Sequence, residues 1–473
     1  MYVHQLLWPL AMLLVGCAGA PLNTPKNIPL TASARTVQES QAPTESIVAL
    51  SFSGGGLRAA AFAFGVLEGL RDQPASANRN LLDEVRFVSS VSGGSLTAAY
   101  LGVHGSAGMN AFRSEVLLRD GEAGLRLSLL NPNNIRRMLA GGLNDRTDFG
   151  SWLENKVFKG ATFADMSSDA KPKVWINATN LQYRLAFPFH QRAFDALCSD
   201  LASYPVSEAV AASMAVPLVF APVVLQRFPE SCESKPQNVR AISHGDERDD
   251  QYRLRKALAR FHRDSLRPDT GRYLKLVDGG ITDNLGLVSI LQSRVLLDTP
   301  YGPIPMNEAL TVKRLLFVVV DAGQAASSDW SQEVAGPSAF AIAEGVIDTA
   351  IESTMRLSYA GFQSLMRDWE RDIVEFRCGL PQEKQDELRA AQVDWRCDEV
   401  TFIATQISFA NFAEEEEREL NSIPTRLSLP EHQIDRLVAA ARRAVESDKR
   451  IREFSRSTQR GISKPVPSTL ATP

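Results

Sequence analysis

The sequence predicts an α/β fold in which a mostly parallel sheet is flanked by helices, and three features carry that expectation. Apolar, β-branched runs such as Ile47–Ser51, Phe87–Val91 and Leu315–Val320 alternate with Ala/Leu-rich segments, the order that builds parallel strands through helical crossovers. Two of those runs break into glycines and resume as helix formers, at Ser53-Gly54-Gly55-Gly56-Leu57-Arg58 and at Val91-Ser92-Gly93-Gly94-Ser95, as a strand, a tight turn and a helix N-terminus do. A third run, Tyr273–Val277, ends at Asp278-Gly279-Gly280. With 473 residues the chain can bury a large core in one domain or two.

In chain order, residues Leu6–Val15 form an apolar run ended by Gly16 and Cys17, too short to span a bilayer and read as a signal peptide over residues 1–16. Leu14-Val15-Gly16-Cys17 resembles the bacterial lipobox, in which cleavage leaves the cysteine as a lipidated N-terminus. The alternative is a plain secretory leader with a chance cysteine. No Lys or Arg precedes the apolar run. Residues 17–45 are rich in Pro, Thr, Ser and Ala without periodicity, the composition of a flexible tether. The body then runs over residues 46–455. It carries a charged insertion at about 229–271, read as a solvated excursion in preference to a lid. Ala339–Met366 shows an apolar stripe through Ile342, Val346, Ile347, Ile351, Met355 and Tyr359. Its charges include Glu344, Asp348 and Glu352 and no basic stripe, which favours packing on the core over lying in a membrane. Glu399–Phe409 reads as a late strand and Pro430–Ser455 as a terminal helix. The Ser/Pro-rich residues 456–473 read as a disordered tail.

The chemistry lies in the turns. A glycine-rich loop at a helix N-terminus offers backbone N–H groups to a developing oxyanion. A serine where strand becomes helix has the geometry of a nucleophile elbow. Such a serine needs a base. Of the six histidines, His190 in Phe187-Pro188-Phe189-His190 is the hardest to dismiss, yet no turn signature accompanies it. Asp278 is the better candidate, because its doubled glycine lets the backbone turn sharply at a strand end. Its rival, Asp321, closes Leu315–Val320 without that doubled glycine and reads as a turn residue. Asp283-Asn284 reads as capping or shaping the loop that follows. Gly54–Ala59 also fits the loose dinucleotide pattern, but the next strand ends in Ser89-Ser90, where that reading needs an acidic residue.

Taken together, these turns resemble those of the patatin-like phospholipases. Gly54-Gly55-Gly56-Leu57-Arg58 is similar to that family's oxyanion-hole loop, Ser90-Val91-Ser92-Gly93-Gly94 to its elbow, and Asp278-Gly279-Gly280 to its aspartate-bearing turn. Trp175–Leu181 and Ala211–Pro222, with a Ser-x-Ala-x-Pro stretch, add weaker similarities. The elbow departs from the family in opening with Ser90 in place of glycine. The resemblance implies a lipid acyl hydrolase, with phospholipid as the favoured substrate. Ser92 would attack the ester, Asp278 would take its proton, and the amides of Gly54, Gly55 and Gly56 would hold the oxyanion, with no metal or organic cofactor. Arg58 would either position the loop or meet a lipid phosphate. The competing reading is a non-catalytic lipid-binding or envelope scaffold lipoprotein.

Four cysteines lie beyond the leader, and proximity pairs Cys198 with Cys232 and Cys378 with Cys397, the alternative being unpaired buried thiols. None forms a CxxC metal pair. A formal net charge of -4 with 22% charged residues gives no footprint for nucleic acid. The resemblance implies a lipid substrate as partner and, through a lipidated Cys17, a membrane surface. Ala18 after that cysteine would fit sorting to a bacterial outer membrane.

Overall fold

The computed structural model describes residues 23–31, 43–75, 78–126, 131–168, 170–232, 251–297, 299–323, 334, 336–391 and 395–460. Cys17, the leader, residues 32–42, the middle of the charged insertion (233–250) and the tail from 461 lie outside them.

Strand β1 (Ser46–Phe52) leads into helix α1 (Gly56–Asp72), and β2 (Val85–Val91) into α2 (Gly93–Gly108). There follow β3 (Lys173–Asn180), β4 (Leu185–Phe189), α3 (Val206–Ser213), β5 (Val223–Gln226), α4 (Tyr252–Ser265), β6 (Tyr273–Val277) and α5 (Val288–Leu297). Then come β7 (Arg314–Asp321), the 40-residue α6 (Ala339–Cys378), β8 (Thr401–Ser408) and α7 (Glu431–Ser447). The strands form one sheet of order β5-β6-β3-β2-β1-β7-β8, with β4 also on β3. Its centre, β3-β2-β1-β7-β8, is parallel, while β4 and β6 run antiparallel to β3 and β5 antiparallel to β6.

The central strands read as unbroken apolar runs because both faces are covered. Val48, Leu50 and Phe52 point into the core beneath α1, α2 and α7, whereas Ile47 and Ala49 point into a second core beneath α6. In β7 the residues alternate likewise, Leu316, Val318 and Val320 to the first face and Leu315, Phe317 and Val319 to the second.

One pairing detail positions the site. Asn177 pairs with Val91 of β2 on one edge of β3 and with Pro188 of β4 on the other. Thr179 and Asn180 pair with β4 and also with Val277 and Leu276 of β6. Since a strand has only two edges, β6 lies on the same edge as β2, beyond its end. The two strands therefore run toward each other, and the residues that follow them, Ser92 and Asp278, meet on either side of Ala178.

Four sequence expectations change. Residues 23–31, assigned by composition to the tether, dock on the body. Asn27 accepts from the Gln226 N–H at 2.9 Å and donates to its carbonyl at 2.8 Å, closing the edge of β5, and Lys26 pairs with Glu208. Helix α6 packs on the core from Ile351 onward, through Met355, Phe362, Met366, Trp369 and Ile373. Ile342, Val346 and Leu357 are exposed. In the described part of the insertion, α4 buries Leu258 and Phe261 in the main core, so it is a packed helix, not a solvated excursion. The terminal helix is split at Asp448, with a second helix over Lys449–Arg460. Disulfides join Cys198 to Cys232 and Cys378 to Cys397, with Cα atoms 5.3 and 4.9 Å apart. No helix among the described residues is long and apolar enough to cross a membrane.

Candidate active site

Ser92 leaves β2 with φ +47° and ψ -124°, a strained turn that lifts its side chain off the strand. It stands at the N-terminus of α2, and its hydroxyl is not spent on capping that helix. Instead Ser92 Oγ donates to Asp278 Oδ2 at 2.8 Å. The other carboxylate oxygen accepts the Gly280 N–H at 2.8 Å. Both residues are almost fully buried, Ser92 at 7% exposure and Asp278 at 5%. Burial raises Asp278 to about 6, against the pull of the Gly280 N–H and the Ser92 hydroxyl. A carboxylate so placed can accept the serine proton near neutral pH.

The glycine loop lies against this pair. Gly55 and Gly56 have φ of +134° and +59°, conformations glycine adopts without strain, and they deliver the first turn of α1, whose amides have no intrahelical acceptor. At Gly93 a side chain would collide with the Gly56 carbonyl, so the two turns approach backbone to backbone. Gly54 differs from the three-donor expectation. Its N–H donates to the Asn284 carbonyl at 3.1 Å, so that amide is engaged within the protein.

Arg58 braces the loop. At 2% exposure its guanidinium donates to the Ala322 carbonyl at 3.0 Å and the Ile423 carbonyl at 2.8 Å. Burial lowers it to about 10, with Asp321 acting in the opposite sense. The phosphate-contact alternative is thereby corrected: the fork points into the protein and is engaged by backbone. Asp321 is a turn residue, accepting from the Gly323 N–H at 2.8 Å and from Gln406 at 3.0 Å. Asp283 accepts the Val288 N–H at 2.6 Å and shapes the loop into α5.

His190 is not at the serine. Its Nδ1 accepts the Ala193 N–H at 3.1 Å as a helix cap. It lines a separate cavity of about 40 Å³ between β4, α4 and α5, with Phe261, His262 and Ser289. Burial pushes its pKa down to about 3, and Arg192 adds to this.

Three further residues hold the site, Ser213 and Asn177 without an assigned role in the sequence and Asn284 expected there to shape the loop. Ser213, at the end of α3, accepts the Ser92 N–H at 2.8 Å, donates to the Asn177 carbonyl at 2.6 Å and lies 3.0 Å from Ser95 Oγ. Asn177 donates to Ser89 Oγ and to the Ser90 carbonyl at 2.9 and 3.0 Å. Asn284 donates to the Met355 sulfur of α6 at 3.0 Å. Ser213 and Asn177 sit within the two weaker motifs, which was the available signal. Ser90 is a regular strand residue whose hydroxyl donates to the Trp175 carbonyl at 3.1 Å, so its backbone places no demand for glycine. Among the described residues no cluster of three or more His, Cys, Asp or Glu could hold a metal.

Among solved structures, human GIVD cytosolic phospholipase A2 aligns with a TM-score of 0.39 and 13% identity, over 90% of this chain and 64% of that one. This chain thus spans less than two thirds of that protein. VipD from Legionella pneumophila aligns with a TM-score of 0.32 and 13% identity, over 95% of this chain and 73% of that one. No curated protein matches the sequence. The family model of the patatin-like phospholipases matches residues 50–290, half of the chain and the span that holds both turns, the intervening helices and the aspartate, and the chain belongs to that family.

Proposed function

We propose that this lipid hydrolase cleaves carboxylic esters of lipids, phospholipids foremost, through a serine–aspartate dyad. Asp278 takes the hydroxyl proton as Ser92 Oγ attacks the ester carbonyl. The N–H groups of Gly55 and Gly56 receive the oxyanion. Collapse releases the alcohol, which takes the proton from Asp278, and leaves an acyl-serine. Water, deprotonated by the same carboxylate, releases the fatty acid and restores Ser92. The observation that carries the reading is the 2.8 Å hydrogen bond from Ser92 to a buried carboxylate held by Gly280. We further propose export to a bacterial envelope with Cys17 lipidated, which would hold the enzyme at its substrate's surface. Incorporation of labelled palmitate, lost in Cys17→Ser, checks that part.

The primary test is hydrolysis of dispersed phospholipid, together with a fluorophosphonate label located by mass spectrometry. Wild type should turn over and carry the label on Ser92. Ser92→Ala should lose both, and Asp278→Asn should lose at least about 10³-fold in kcat/KM. A folded wild type with neither turnover nor label would move the assignment to a lipid-binding scaffold.

A further inference from the structure

Part of α6 is left open by its own chain. Ile342, Val346 and Leu357 are 49, 64 and 75% exposed. At about 100° per residue they fall within about 60° of one another on the helix. Thr349, Ser353, Ala360 and Ser364 continue that stripe and are exposed too. It runs for about 33 Å at 1.5 Å per residue, carries no charge, and faces away from Met355, Phe362 and Met366, which seat the helix on the body.

The order of side chains along the stripe is self-complementary about Ser353. Laid antiparallel on a copy of itself, the helix sets Ile342 against Ser364, Val346 against Ala360 and Thr349 against Leu357, with Ser353 meeting Ser353. Each larger side chain faces a smaller one, the alternation that close helix packing requires. Glu352 and Arg356, 3.6 Å apart within one helix, flank the stripe, and each Arg356 would lie within a turn of the partner's Glu352. A bilayer surface is the poorer fit, since an interfacial helix is rich in Trp, Phe or Leu on its apolar face and in Lys or Arg on its polar face, whereas this stripe has one Leu and no aromatic residue, and the arginine beside it pairs with Glu352.

We infer that α6 mediates a two-fold symmetric, antiparallel dimer of this chain centred on Ser353. The contact is isologous and closed. With about seven residues a side it is smaller than a standard interface of roughly 20–30, so the dimer is a weak, reversible one. This inference is independent of the proposed chemistry.

Sedimentation velocity on the full chain from about 1 to about 100 µM, the range in which weak complexes form, should show monomer passing to dimer. Leu357→Glu, at an exposed position and therefore without effect on the melting temperature, should weaken association by at least about tenfold. Cross-linking tests the register in a Cys17→Ser background. Ser353→Cys should form a disulfide-linked dimer under mild oxidation. Val346→Cys should not, because its copies lie about 21 Å apart along the axis, whereas Val346→Cys combined with Ala360→Cys should. A monomer at every concentration, or Val346→Cys cross-linking as fast as Ser353→Cys, would overturn the proposal. So would a monomer that binds phosphatidylcholine vesicles through Leu357, which would assign the stripe to lipid.

Discussion

Asp278 touches the serine directly, with no imidazole between them, and its environment sets both the pH at which it can work and what it costs the fold. Burial lifts it to about 6, so kcat/KM should rise through pH about 6 on its acid limb. A limb near 4, the value of a solvated carboxylate, would place the base elsewhere. The same shift has a linkage consequence. The folded state holds this proton more tightly than the unfolded chain, so the contribution is fully present below the unfolded value near 4 and is lost as pH rises through 6. The ionised carboxylate therefore costs about 2–3 kcal/mol of stability above pH 6. Asp278→Asn should be more stable than wild type by about that amount at pH 8, and the advantage should shrink toward pH 4.5. Urea denaturation at the two pH values measures it. Asp283, also raised to about 6 by burial, is present in both proteins and cancels. An advantage independent of pH would mean that side-chain packing, not ionisation, separates the two.

The elements that bring these residues together were only partly legible. The glycine-rich loop, the elbow and the aspartate turn each stand in a contiguous run, because turn chemistry is local and leaves its mark in neighbouring residues. What joins them is not local. That β6 runs antiparallel and enters along β2's own edge of β3 depends on the registers at Asn177 and Thr179, and no alternation within Tyr273–Val277 encodes a direction. Ser213 was hidden for the same reason, since its partners Ser92 and Asn177 lie 121 and 36 residues away. Arg58 shows how composition misleads. A fork beside a glycine loop suits a phosphate equally well, and only the Ala322 and Ile423 carbonyls, 264 and 365 residues distant, settle its direction. Arg58→Lys cannot reach both carbonyls and leaves one buried acceptor unpaired, at a cost of about 1–3 kcal/mol. It should lower the melting temperature and cut kcat on neutral esters and phospholipids by the same factor. A loss confined to phospholipids, seen in KM, would restore the phosphate contact.

The whole molecule extends the site beyond the segment that carries its motifs. β1 is a central strand only because β7 and β8 continue the sheet on its far side, and both lie after residue 290. The glycine loop rests on the chain's last third: the Leu57 N–H donates to the Arg426 carbonyl at 2.7 Å, Arg58 reaches Ile423, and α1 shares its core with Ile434, Leu437 and Val445 of α7. A chain cut after Asn411 keeps every strand and both Ser92 and Asp278. It also loses Leu420, Ile423, Ile434, Leu437, Val445 and Ile451 from the buried core. At about 1.5–3 kcal/mol for each buried side chain, that loss is on the order of 10 kcal/mol, comparable to the whole stability of a typical domain, about 5–15 kcal/mol. The shortened chain should therefore lose cooperative unfolding by calorimetry and the fluorophosphonate label together, although Ser92 and Asp278 are intact. If it stayed folded but unlabelled, residues 423–427 would act on the oxyanion loop alone. If it stayed folded and labelled, the site would be self-sufficient and the brace through Arg58 and Leu57 dispensable.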